Sequence, residues 1–256
     1  MTFIHKLAVV SPKAELGKDV YIGPYSVVNE DVIIGDGTHI AEHAIIRPGA
    51  RIGTNCKIFS GAIISEISQD LKYKGEKTET FIGDRTIVRE YATIHKGTAH
   101  RMKTVVGSDC LLMAYVHIAH DCIIGNNCII SNATQLAGHV RVEDKVTIGG
   151  MTGIHQFVQI GTHAFVGGYL RVGKDIPPYI LAAGVPARFA GINHRGLERA
   201  GFSSDVIKTL KEFYHIIYRS EYNVSDALKY IENNVELIPE TKHAIEFIKS
   251  SQRGLI

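Results

Sequence analysis

The chain contains no tryptophan, and only seven prolines and four cysteines among its 256 residues. No apolar run approaches the roughly 20 residues needed to span a bilayer. The first ten residues, Met1 to Val10, are interrupted by His5-Lys6 and followed by no small-residue cleavage site, which argues against a secretory signal. Four cysteines in a chain of this length are not the dense disulfide framework of a small secreted domain. Neither sign of charge dominates: 28 basic and 26 acidic residues leave a net +2. Nucleic acid and a basic membrane-binding face are therefore not expected partners. A cytoplasmic protein with no membrane span is therefore expected. Its apolar content of 45% and charged content of 21% suit a water-soluble chain with one large domain, or one domain plus a smaller one.

What the sequence has in abundance is a repeat of six. Stepping by six from Val10 meets Leu16, Ile22, Val28, Ile34 and Ile40, and continues to Val172. Of the 28 positions in this phase, 25 are Ile, Val or Leu, and the exceptions are Asp70, Glu76 and His100. A period of six is not helical; it suits short strands regularly broken by turns. Gly often follows the aliphatic residue, as at Gly23, Gly35 and Gly53, where tight approach and positive φ are expected of turn corners. A small or β-branched residue stands two places before it, as at Val20, Ser26 and Thr38. Cys56, Cys110, Cys122 and Cys128 all fall in that slot. They are expected to point inward, reduced, and to pack as small hydrophobes rather than to form a zinc site.

This pattern resembles the hexapeptide-repeat acyltransferase superfamily. The resemblance implies a mainly β fold, a left-handed parallel β-helix with 18 residues per coil, assembled as a homotrimer. The β-helix is expected over residues 1–185, with loop excursions near 65–81 and 96–104 where charges replace core aliphatics. After Pro177-Pro178 the phase is lost, and a small α-helical C-terminal domain is expected over 186–256. Its helices are read at Ile192–Ala200, from Ser203 or Ser204 to Arg219, at Ser225–Asn233 and at Glu240–Gln252. Ten basic and nine acidic residues in that domain single out no docking face for an acidic carrier protein.

The histidines suggest chemistry. His120 and Asp121 occupy the unconstrained positions of the hexad that begins at Ile118, so both are expected to face outward near a corner. With 18 residues per coil, His120, Gly138 and Gln156 form one column, and Asp121, His139 and Phe157 the next, at a spacing of about 4.8 Å. A general base, an approachable backbone N–H and an amide donor then line one groove, as acyl transfer requires. A solvated polar corner fits the same residues. So does a zinc site drawn from His117, His120 and His139, and a β-helix can also be a scaffold with no catalysis.

Longer motifs narrow the resemblance. Gln69-Asp70-Leu71-Lys72-Tyr73, Thr93 to Thr98, His117 to Cys122, Leu136 to Val140, Gly149-Gly150-Met151, His155-Gln156-Phe157 and the tail Arg253 to Ile256 are together similar to the UDP-N-acetylglucosamine O-acyltransferases of lipid A synthesis. That family moves a 3-hydroxyacyl chain from the phosphopantetheine of acyl carrier protein to the glucosamine 3-hydroxyl of UDP-N-acetylglucosamine. The resemblance implies no further cofactor and no metal. Carried over by motif, it makes His120 the general base, Asp121 its orienting partner and the Gly138 N–H the oxyanion donor. Asp70, Lys72, His117, His139 and Gln156 would contact the sugar nucleotide. His155, Asn193 and Arg199 would lie toward the donor or nucleotide end, and Gly168 would help to measure acyl length. The chain departs from many relatives at Arg195 and at Arg199-Ala200, where an acidic residue and a pair of basic residues are usual.

Overall fold

The computed structural model describes residues 1–256. Away from the excursions most hexads form a two-residue strand followed by a four-residue corner. His117–Ile118, Ile123–Ile124 and Ile129–Ile130 are the three strands of one coil. The second residue of each is buried and the first faces outward. Within the rod each strand up to the last coil pairs in parallel with the strand one coil later, so His117 lies opposite Gln135 and Gln135 opposite Gly153. The strands form three sheets of eleven, nine and eight strands, here the first, second and third faces of the rod. The aliphatic column between them is the core, and stacked coils satisfy one another's backbone groups.

The two polar excursions interrupt the rod without disturbing its phase. Ile64 lies opposite Ile94, and Ile94 opposite Ile118. These separations of 30 and 24 residues exceed a coil by twelve and by six. Whole hexads are inserted each time, which is why the aliphatic phase resumes after each loop.

The corners correct one expectation. The left-handed residue is not the glycine after the aliphatic position but the third residue after it. Asp121, Asn127 and Ala133, at the three corners of one coil, have φ of 59°, 56° and 57°. At Asn127 and Ala133 the N–H of this residue donates to a carbonyl of the preceding coil, as from Asn127 to Ser108 at 2.9 Å, and at Asp121 it donates to the Thr104 hydroxyl. That bond holds a backbone state which disfavours most side chains. The glycines are needed for close approach instead. A Cβ on Gly53 would lie 2.8 Å from the Asp84 nitrogen. All four cysteines are free and buried, and burial pushes the Cys56 thiol up and the Cys122 thiol up to about 12.

An antiparallel pair, Ile180–Ala183 with Arg188–Ile192, follows the last coil. The strand at Arg188–Ile192 carries no hexad signal and was not anticipated in a segment read as helical. Four helices follow: α1 (His194–Arg199), α2 (Ser204–Arg219), α3 (Val224–Asn234) and α4 (Pro239–Ser250). Ser203 caps α2 through its hydroxyl, whereas α3 is capped by Asn223 and not by Ser225. The buried face of α2 includes Leu210, Phe213 and Tyr214, and the Tyr214 hydroxyl donates to the Pro178 carbonyl at 2.7 Å. The tail returns to the rod, where the buried Asp175 carboxylate accepts from the Ser251 hydroxyl at 2.6 Å. No helix is long and apolar enough to cross a membrane.

Candidate active site

The corner between the second and third faces carries His120, and one coil later Gly138 and His139. The 18-residue register stacks them as the columns require: the His139 N–H donates to the His120 carbonyl at 3.0 Å, and the Phe157 N–H to the Gly138 carbonyl at 3.2 Å. The His120 ring lies across Gly138. A Cβ there would fall 2.5 Å from ring atoms Cε1 and Nε2, so only glycine leaves the ring its place. The Gly138 N–H donates to no acceptor within the protein.

The outward placement expected for His120 and Asp121 does not leave them exposed, and the alternative of a solvated corner fails with it. His120 is only 6% exposed and Asp121 is fully buried. Residues of the second excursion fold over this corner and cover it. Asp121 Oδ1 accepts from the Thr98 N–H at 3.0 Å, and Oδ2 accepts from the Thr98 hydroxyl at 2.6 Å. Oδ2 also lies 2.9 Å from His120 Nδ1. Burial alone would push the carboxyl up, but the hydrogen bonds from His120 and Thr98 outweigh it and hold Asp121 below its ordinary range. Hydrogen bonds to a charged group contribute about 1.5–3 kcal/mol each, so three of them offset a desolvation cost of several kcal/mol. Since Asp121 is ionised it can only accept, and Nδ1 must donate to it. Nε2 is left as the basic nitrogen.

The neighbouring groups are equally specific. Asp70, from the first excursion, brings Oδ2 to 4.0 Å from His120 Nε2, and its Oδ1 accepts from the Lys72 N–H at 2.9 Å. The Lys72 side chain itself is exposed. His139 stacks on Phe157 with ring centroids 4.4 Å apart and meets His120 edge-on at 4.9 Å. Its Nδ1 is buried without a hydrogen-bond partner, 3.9 Å from Asp121 Oδ2. Burial lowers its proton affinity despite that carboxylate. His117 Nδ1 pairs with the Thr93 hydroxyl at 2.8 Å, and burial, with His120 nearby, favours its neutral form. Behind it His95 is driven down to about 4, chiefly by burial and then by His117. His117, Gly153, His155 and Arg171 line a shallow groove of about 370 Å³ on the second face. Gln156 is exposed beside it.

Asn193, Arg199 and Gly168 are not brought to this corner. Asn193 caps α1 and donates to the His163 carbonyl at 2.9 Å. With Arg199 and Lys145 it lines a separate groove of about 510 Å³ near the Asn127 corner, between the third and first faces. Gly168 sits at the remaining corner, where a Cβ would approach the Gly150 carbonyl oxygen to 3.1 Å. Reading the sequence also passed over Thr98 as a site residue. It lies in the small-residue slot two places before His100, but nothing in the hexad shows that a threonine there turns back onto Asp121.

A base held by a buried carboxylate, poised over a glycine N–H, can accept a hydroxyl proton while the N–H receives a developing oxyanion. His120, Asp121 and His139 also offer ligand atoms within 4.8 Å of one another, so a metal is the other group the cluster could hold. Comparisons with known proteins bear on this choice. Residues 175–256 match the family model described as UDP-N-acetylglucosamine O-acyltransferase, domain 2, and residues 13–48 and 103–138 match the bacterial transferase hexapeptide model. The acyl-[acyl-carrier-protein]–UDP-N-acetylglucosamine O-acyltransferase of Janthinobacterium sp. is 50% identical, with 100% of each chain covered. Its namesake from Pseudomonas paraeruginosa is 47% identical over 100% of this chain and 99% of the relative. The crystal structure of a UDP-N-acetylglucosamine acyltransferase from Bacteroides fragilis superposes with a TM-score of 0.98 at 43% identity, covering 99% of this chain and 100% of the other. The fold is the left-handed parallel β-helix with a helical C-terminal region. On full-length identity and superposition together, the chain belongs to the UDP-N-acetylglucosamine O-acyltransferase family.

Proposed function

We propose that the protein transfers a (R)-3-hydroxyacyl chain from acyl carrier protein to the 3-hydroxyl of UDP-N-acetylglucosamine, the first step of lipid A synthesis, in the cytoplasm. The observation that carries this reading is the His120 ring, fixed by Asp121 at Nδ1 and laid across Gly138. His120 Nε2 takes the proton of the sugar 3-hydroxyl as that oxygen attacks the thioester carbon. The carbonyl oxygen becomes the oxyanion, to which the free Gly138 N–H donates. Collapse breaks the carbon–sulfur bond, and the proton on His120 passes to the departing phosphopantetheine sulfur. Asp121 stabilises the transient imidazolium. The acyl donor arrives on its carrier, so no further cofactor is invoked.

Asp70 and Lys72 hold the sugar nucleotide from the first excursion, with His117, His139 and Gln156 on the rod. His155 lies toward the donor end of the same groove. Gly168 leaves room at its corner for the acyl chain and contributes to the choice of length. The homotrimer is the assembly that the hexapeptide-repeat resemblance implies, and in it Asn193 and Arg199 would reach the sugar nucleotide of a neighbouring protomer. Sedimentation analysis tests the trimer.

The decisive assay offers UDP-N-acetylglucosamine with a panel of 3-hydroxyacyl carrier proteins. Transfer is expected, and His120→Ala should slow it by about 10²–10⁴-fold with the fold intact. Absence of transfer, or an unchanged rate in the variant, would sink the reading. The proximity of His120, Asp121 and His139 gives the metal alternative its only footing. Stoichiometric zinc lost together with activity would favour it.

A further inference from the structure

We propose that Thr98 is a positioning residue of the transfer reaction: it fixes the Asp121 carboxylate, which in turn fixes the His120 ring. The inference rests on the reading of His120 as the base and extends it to the loop that covers the site. Asp121 presents four polar atoms, and the second excursion and the strand it enters satisfy every one. Its N–H donates to the Thr104 hydroxyl at 2.9 Å, and its carbonyl accepts from the Arg101 guanidinium at 3.0 Å. Its two carboxylate oxygens each accept from Thr98, one from the N–H and one from the hydroxyl.

Those last two bonds set the plane of the carboxylate. Oδ2 is shared between the Thr98 hydroxyl and His120 Nδ1, so the direction in which Oδ2 points decides the direction of the ring. Without the hydroxyl, Oδ2 keeps only the histidine and Oδ1 only the Thr98 N–H, so the carboxylate loses the bond that sets the direction of Oδ2. Thr98 is 8% exposed and its hydroxyl is already committed to Asp121, so it acts through Asp121 and not on the substrate.

The loop is built to hold Thr98 still. Gly97, just before it, passes so close to Lys103 that a Cβ would lie 2.2 Å from the Lys103 nitrogen. The Gly97 carbonyl accepts from the Thr78 hydroxyl at 2.6 Å, which ties the second excursion to the end of the first. The Met102 N–H closes the turn onto the Thr98 carbonyl at 2.7 Å.

The test compares Thr98→Val, Thr98→Ser, His120→Ala and the double variant Thr98→Val/His120→Ala in the same transfer assay. Thr98→Val should lower kcat roughly 10- to 100-fold, the scale of a misplaced catalytic group, with KM for UDP-N-acetylglucosamine changed by less than about twofold. Thr98→Ser keeps the hydroxyl and should restore most of the rate. In the His120→Ala background the valine should add no further loss, because the pair acts as a unit. Thr98→Ala repeats the comparison should the valine variant melt early. A wild-type kcat in Thr98→Val, a change confined to KM, or an equal loss in both backgrounds would overturn the proposal. A full rate in His120→Ala would remove the base itself, a different failure from an unaffected Thr98→Val beside a crippled His120→Ala.

Discussion

Asp121 and Asn127 stand at successive corners of one coil, with nearly the same backbone angle, 59° and 56° in φ. The Asn127 N–H donates to the Ser108 carbonyl and the Asp121 N–H to the Thr104 hydroxyl, and each residue stands three places after an Ile that points into the core. Yet Asp121 is fully buried and bound to a histidine, while Asn127 is exposed to solvent. The hexad therefore builds every corner alike and commits none of them to chemistry. What separates the two is the six-residue excursion, which covers one corner and leaves the other bare. A repeat supplies rigidity and register; an interruption of the repeat supplies a site.

The comparison breaks most visibly at Gly138. Gly138→Ala puts a methyl group into the His120 ring and should lower turnover by roughly 100-fold or more, while melting changes little; near-normal turnover would show that the ring does not need that place. The rod can be damaged without the site. Ile40 is fully buried far down the stack, and Ile40→Ala should cost about 2–5 kcal/mol of stability in denaturant unfolding, with turnover per folded molecule unchanged. A fall in turnover of the folded fraction would mean that the rod and the site are not separable.

Acid should expose the site's histidines next. His95 is held neutral down to about 4, mainly by burial, against an ordinary value of about 6.5. Below 6.5 the unfolded chain binds a proton that the folded chain refuses, so stability is complete above 6.5 and falls as pH drops from 6.5 toward 4. The loss is about 3 kcal/mol at most from His95, and His117, His139 and His163, also lowered by burial, act in the same direction. Denaturation midpoints at pH 7, 6 and 5 measure it, and His95→Asn should flatten the slope. The smallest effect belongs to a bare corner. Asn55 has φ of 53° and is exposed. Asn55→Gly removes a side chain from a left-handed position and should leave stability within about 0.5 kcal/mol and activity unchanged.

The rod was legible in the sequence because its core obeys one rule repeated through the chain. The aliphatic phase located Ile118 and Ile130, the small-residue slot located all four buried cysteines, and the loss of phase at Asp70 and His100 marked both excursions. The His120–Gly138 column followed from the coil length. The burial of Asp121 did not, because the residues that cover it are polar, stand where the aliphatic column is broken at His100, and make long-range contacts. The same holds for Thr98. The left-handed positions were misassigned to glycine because non-glycine residues are held there by bonds between coils, which no single hexad displays. The separation of Asn193 and Arg199 from His120 reflects their place after the rod, where the repeat has no authority.

Deleting residues 97–102 tests the central claim most directly. The deletion removes one whole hexad, so Val106 becomes the next aliphatic position after Ile94 and Thr104 stays in the small-residue slot, while Lys103 takes a left-handed corner of the kind Lys145 already occupies with φ of 60°. The account expects the shortened chain to keep its β-sheet circular dichroism and a cooperative melt, and to lose transfer activity as completely as His120→Ala. Activity within a few fold of wild type, or a chain that no longer folds, would contradict it.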